Sequence, residues 1–256
     1  MSEQRWTVVG VALVFALLLA VAPDGARAVE KKPVAVNELP AGVVEAAKKL
    51  CPGGEITSAK KEEDVDDQGA VQEFDFEMEV TLKSGKVHEV EVDTTPEGKV
   101  KPGECEAKGS VGADDLPAAV AEAVKRLCPD GKVASGERRA RLSKDQAEVE
   151  YHLKLELAAG EKAEATIGLA GDGKVRQTRL EAPVPPADLP KVVGDSLKVI
   201  RPGGRVVSAR KHTRAEGDKM RVEYELKLET ADGEGLRADI RLTADGRIRR
   251  IEVRDD

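Results

Sequence analysis

The chain has 256 residues, 35% of them charged, and a formal net charge of −7. Phe, Trp and Tyr together make up only 2%, which excludes broad aromatic platforms for stacking sugars or bases and leaves Val, Leu, Ile and Ala to build the core. The charge is graded: 9 Lys and Arg face 17 Asp and Glu over 39–112, 12 face 13 over 113–186, and 16 face 14 over 187–256. A nucleic-acid binder is expected to concentrate basic residues on one face instead.

The N-terminal stretch pairs Arg5 with an apolar run from Val8 to Val21, followed by Ala26-Arg27-Ala28. This order predicts a signal peptide over residues 1–28, cut after Ala28. The run of about 14 residues is shorter than the roughly 20 needed to span a bilayer. The protein is therefore expected to be exported, periplasmic or extracellular, with no stable membrane anchor after cleavage. No Cys lies near the cut, so a lipid anchor is not expected.

The remaining chain repeats one pattern three times. Leu39-Pro40, Leu116-Pro117 and Leu189-Pro190 each open a helical stripe: Leu39, Val43, Ala47, Leu50; Leu116, Val120, Val124, Leu127; Leu189, Val193, Leu197, Ile200. Offsets of 4, 8 and 11 residues place each set on one helix face. Cys51-Pro52-Gly53-Gly54, Cys128-Pro129-Asp130-Gly131 and Arg201-Pro202-Gly203-Gly204 stop the helices. Alternating runs follow, with Phe74, Tyr151 and Tyr224 as the matching aromatics 22 residues after each Pro. Such alternation predicts antiparallel sheets with one dry and one wet face.

The expected fold class is α+β: three tandem modules over 37–106, 114–181 and 187–256. Each has one N-terminal helix packed on a four-stranded antiparallel meander sheet. Residues 102–113 and 182–186 read as linkers, and Lys99 and Lys101 as part of the first module's fourth strand.

The Leu-Pro helix, the Pro-Gly stop, the aromatic-bearing strand and the late Asp-Gly-Lys turn resemble PepSY-like modules, whose helix-on-sheet fold is also seen in beta-lactamase inhibitor proteins. The resemblance implies an exported, non-enzymatic protein that binds, regulates or inhibits an envelope or extracellular protein such as a hydrolase. In those inhibitors the exposed sheet face meets the partner. Here that face is charged rather than aromatic.

No cofactor motif or catalytic constellation stands out. His88, His152 and His212 fall at non-equivalent positions and read as surface residues. Asp64-x-Asp66-x-Gln68-Gly69 half-matches a calcium loop, which opens an alternative reading as a calcium- or cation-responsive structural protein. Cys51, Cys105 and Cys128 are candidates for a disulfide, Cys105 pairing with either of the others. The main candidate site is a protein-docking acidic face. It comprises Glu73, Asp75, Glu77 and Glu79 on one strand and Glu89, Glu91 and Asp93 on the next, with like charges set side by side. The third stretch interleaves Arg221, Lys227, Arg237 and Arg241 with Glu223, Glu225 and Asp239, a pattern that predicts paired charges. The protein partner is unknown from sequence; nucleic acid is not expected, and the charge gradient permits self-association.

Overall fold

The computed structural model describes residues 31–255 apart from 102, 145, 159, 217, 218, 231, 232 and 244; the expected signal peptide over 1–28 lies outside the described residues. In chain order the elements are β1 (Lys32–Pro33), α1 (Ala41–Leu50), β2 (Glu55–Val65), β3 (Val71–Thr81), β4 (Val87–Thr94) and β5 (Glu106–Val111). Then come α2 (Ala118–Leu127), β6 (Lys132–Ser143), β7 (Gln146–Glu156), β8 (Lys162–Leu169) and β9 (Val175–Pro183). The last are α3 (Lys191–Ile200), β10 (Arg205–Glu216), β11 (Lys219–Glu229), β12 (Gly235–Leu242) and β13 (Ile248–Asp255). A short 3-10 turn precedes each α-helix.

The strands form one 13-stranded antiparallel sheet in sequential order. This corrects the expectation of three helix-on-four-strand modules. The stretches read as linkers are strands that weld the sheet together. Glu106–Val111, inside the expected Gly-rich linker, is β5; it pairs with β4 and, from Glu106↔Arg141 to Val111↔Gly136, with β6. Ala182 and Pro183 belong to β9 and pair with Lys211 and Arg210 of β10. The physical reason is that an isolated sheet leaves two rows of unpaired N–H and C=O groups, and pairing end strands satisfies them. The residues around Lys99 do not form the expected fourth strand either; they make only an isolated bridge, Thr94↔Val100.

Each helix starts directly after its Pro, where a missing N–H costs no intrahelical bond; the carbonyl of Pro40, for example, accepts from the N–H groups of Val43 and Val44. The stop after α1 is a turn in which Gly54 N–H donates to the Cys51 carbonyl, with Gly53 at φ 76°. The first helix does not sit on a private sheet. Helix α1 buries Val43, Ala46, Ala47 and Leu50 and packs across β4, β5, β6 and β7, so the first core takes Ala140 and Leu142 from β6. Helix α2 lies over β8 and β9. Helix α3 buries only Val193 and Leu197, and Val199 stays 81% exposed.

Registers also correct the aromatic alignment. Tyr151 faces Arg138 and Tyr224 faces Lys211; the residue facing Lys61 at the matching place is Phe76, not Phe74. Phe76, Tyr151 and Tyr224 are all buried. Phe74 is half-buried and carries the Lys61 ammonium 3.5 Å from its ring centroid. The offset arises because the loop after β2 is longer than its counterparts.

Two substitutions test this architecture. Leu142→Ala should cost about 2–4 kcal/mol of stability and lower amide exchange protection in α1, because a residue of β6 fills the core beneath that helix; protection lost only around β6 and β7 would contradict the shared core. At Gly109, which pairs with His88, an added Cβ would meet the imidazole Cδ2 at 1.9 Å. Gly109→Ala should therefore cost about 1–3 kcal/mol in a urea titration.

Candidate functional site

The acidic face is built by strand alternation. On β3, Phe76, Met78 and Val80 turn into the core beneath α1, which forces Glu73, Asp75, Glu77 and Glu79 to the opposite face. On β4, buried Val90 and Val92 do the same for Glu89, Glu91 and Asp93. The register then places Asp75 opposite Asp93, Glu77 opposite Glu91 and Glu79 opposite Glu89. Directly opposed Cβ atoms in an antiparallel pair lie about 4.5–5.5 Å apart, so three like-charged pairs are stacked along one ladder. The rows continue outward with mixed charge: Glu62 lies beside Asp75 and Glu106 beside Glu91, but Lys60 lies beside Glu77 and Lys108 beside Glu89.

Cations approach this surface from the flanking strands, Lys60 on β2 facing Glu77 and Lys108 on β5 facing Glu89. Lys31 pairs with Glu77 and, at 3.5 Å, with Glu62. Lys101 pairs with Glu73 and, at 3.6 Å, with Glu104. Arg141 pairs with Glu106. Among the described residues, Glu79, Glu89 and Glu91 make no ion pair; the Ser58 hydroxyl donates to Glu79 at 2.8 Å. A shallow groove of about 350 Å³ runs over Glu77, Glu79, Glu89 and Glu91.

The crowding perturbs protonation where the ladder is least exposed. Burial, reinforced by the charges of Asp93, Glu77 and Glu91, pushes the Asp75 carboxyl up to about 6. Its Oδ1 is buried without a hydrogen-bond donor. Asp93 is also raised, by burial first and then by Glu73 and Glu104. Asp115 behaves in the opposite way: the Lys86 ammonium at 2.7 Å and the Gly112 N–H hold it down at about 2. A carboxylate that finds donors is thus stabilised in this fold, and Asp75 Oδ1 lacks one.

Of the calcium-loop residues, Asp66 is engaged by its own turn. Asp66 Oδ1 accepts from the N–H groups of Gln68 and Ala70 at 2.9 and 2.8 Å, and Oδ2 accepts from Gln72 at 3.0 Å. The carboxylate closes the turn between β2 and β3, the ordinary work of Asp in a hairpin loop. Among the described residues no group of three or more His, Cys, Asp or Glu side chains is arranged to hold a metal ion.

The cysteines are all thiols, and none is bonded to another. Cys105, read as a linker residue, is fully buried in the first core. Cys51 lies 3.8 Å from His88 Nδ1. His88 is not a surface residue; it is fully buried, between α1 and the Gly109 backbone. Its pKa is lowered, mainly by burial and then by the Arg138 charge. Arg138 is itself buried, and its Nη2 donates to the Leu50 carbonyl at 2.6 Å, capping the end of α1. Burial also raises the Cys51 thiol more than Arg138 lowers it, so the thiol is not activated as a nucleophile. This cluster joins the first helix to β6. The polarity of Arg138 hid it, although alternation puts Arg138 on the dry side of its strand. His152 pairs instead with Glu150, and His212 lies between Glu181 and Glu225.

Asp75 sets a pH dependence with a definite sign. Its folded pKa of about 6 lies above the ordinary 3.8, so between these values the folded chain holds a proton that the unfolded chain has released, and stability falls as pH rises through the window. After allowance for solvent screening of a part-exposed carboxylate, Asp75→Asn should raise Tm by about 2–4 °C at about pH 7.5 and leave it unchanged near pH 4. An equal gain at both pH values would place the effect outside the ladder.

No helix of the described residues is long and apolar enough to cross a membrane. Comparison of the chain with protein-family models, with curated proteins and with solved structures finds no match.

Proposed function

We propose that this chain is an exported, non-catalytic binding protein whose acidic β3–β4 face docks a basic polypeptide. The observation that carries the reading is the register of Asp75, Glu77 and Glu79 against Asp93, Glu91 and Glu89. Such pairs oppose folding, and a partner that supplies guanidinium or ammonium groups would relieve them on binding. The surface is exposed and partly grooved, and it lies on the face away from α1, which suits protein docking better than a small-molecule site. Regulation of an envelope or extracellular hydrolase is one form this binding would take, with the basic surface of that protein as the target. The cation-responsive alternative draws less support, since Asp66 is occupied by its own loop.

A titration with poly-L-lysine tests the docking face. The unaltered protein should bind, and affinity should fall at least tenfold between about 50 and 300 mM salt as screening sets in. Glu77→Lys combined with Glu91→Lys should abolish the binding while the melting temperature is kept or raised. Binding that survives both substitutions would overturn the reading. Displacement of poly-L-lysine by millimolar calcium, without effect of equal ionic strength of sodium, would favour the cation-responsive alternative.

A further inference from the structure

The last strands carry the opposite of the acidic ladder. Arg179 of β9 faces Arg214 of β10, and Arg214 faces Arg221 of β11. All three are exposed, and among the described residues none makes an ion pair. Their neighbours do: Arg210 pairs with Glu181, Arg237 with Glu225 and Arg241 with Glu223. The interleaved charges expected of this region therefore pair in part, but Arg221 faces an arginine. The row lines a cleft of about 600 Å³ together with Arg241, Arg250 and Arg254.

The fold does not require this row. The matching row in the middle of the sheet is Glu106–Arg141–Glu148, with Glu106 facing Arg141 and Arg141 facing Glu148. Near the start of the sheet the matching pair is Asp64–Glu73. One strand geometry thus carries acidic, alternating and basic versions of the same row. The alternating version shows that the position is stable with compensated charge. At the acidic end Lys101 of the same chain pairs with Glu73; the arginine row has no ion-pair partner among the described residues, and since like charges side by side cost stability it would gain from compensation outside the chain.

We infer that the basic partner of the acidic ladder is the arginine face of a second copy of this chain. The inference rests on the reading of β3–β4 as a docking surface and names its partner. Carboxylate rows and guanidinium rows are complementary in chemistry, because the planar guanidinium fork takes a carboxylate through two parallel hydrogen bonds. Both rows lie on the sheet face away from the helices, yet they cannot meet within one copy. Six strand steps separate β4 from β10, and at roughly 20–25° of twist per step the two surfaces face directions differing by roughly 120–150°. A contact that joins the acidic face of one copy to the arginine face of another is head to tail, and it leaves one face of each kind open for further copies.

Sedimentation velocity on the mature full-length chain tests this. At about 50 mM salt the chain should form faster-sedimenting species whose share grows with concentration, and at about 500 mM it should be monomeric. Two variants separate the faces: Glu77→Arg with Glu91→Arg, and Arg179→Glu with Arg214→Glu. Each alone should lose the faster species while keeping a cooperative thermal transition; mixed in equal amounts, they should form a pair, since each supplies the face that the other lacks. Assembly that persists in the Arg179→Glu, Arg214→Glu variant overturns the inference. If the unaltered chain binds poly-L-lysine but stays monomeric at low salt, the inference fails while the docking face stands; if it neither binds nor assembles, both fail. A monomer that binds polyphosphate through Arg214 would likewise overturn it, by making an anionic polymer the occupant of the arginine face.

Discussion

Everything in this protein depends on the antiparallel hydrogen-bond ladder continuing across β5–β6 and β9–β10. A sheet of four strands with one helix is small and has two open edges. Joining such sheets in line satisfies the backbone groups at the joins and lets α1 use strands from both sides of its join. Helix α1 shows the result: its core contains Ala140 and Leu142, residues that belong to the following helix-and-strand stretch. Arg138 strengthens the same joint from the other direction, since its guanidinium caps the Leu50 carbonyl from β6. The dry face therefore behaves as one layer in which neighbouring cores share residues.

Local elements were largely legible in the sequence, because they follow from short-range rules. The Leu-Pro helices, the Pro-Gly stops and the alternating strands occur where spacing and composition predict them. The acidic face was legible too, since alternation fixes which side chains share a side and the turns restrict the register. The joins between sheets were not legible. Glu106–Val111 contains Gly and charged residues that resemble a linker when read alone; it becomes a strand only because β4 and β6 offer partners on both sides. The misaligned Phe74 has a similar origin. A longer loop after β2 shifts the count by two residues, and only the register against Lys61 reveals Phe76 as the buried counterpart.

Buried polar residues were hidden for a different reason. His88 stands in phase with buried Val90 and Val92, and Arg138 with buried Ala140 and Leu142, so alternation puts both on the dry side although their polarity reads as surface. Their burial follows from tertiary details, namely a glycine at 109 that leaves room for the imidazole and a helix end that needs a donor. The arginine row was hidden in the same way: Arg179, Arg214 and Arg221 come from three strands and gather only through register. Comparing equivalent rows within the molecule separates what the fold needs from what it tolerates. The alternating row in the middle is the neutral reference against which both like-charged ends stand out.

The sequential strand order has a kinetic meaning as well. Every strand neighbour in the sheet is also its neighbour along the chain, so no strand waits for a distant partner before it can pair. Local pairing of this kind lowers contact order and removes much of the loop-closure cost that slows most all-strand proteins. A chain emerging from its N-terminus can complete β2–β3–β4 before β10 exists, although α1 gains its full cover only when β6 and β7 arrive. Folding is thus expected to advance as a front along the sheet, with α1 held loosely until β6 and β7 close beneath it.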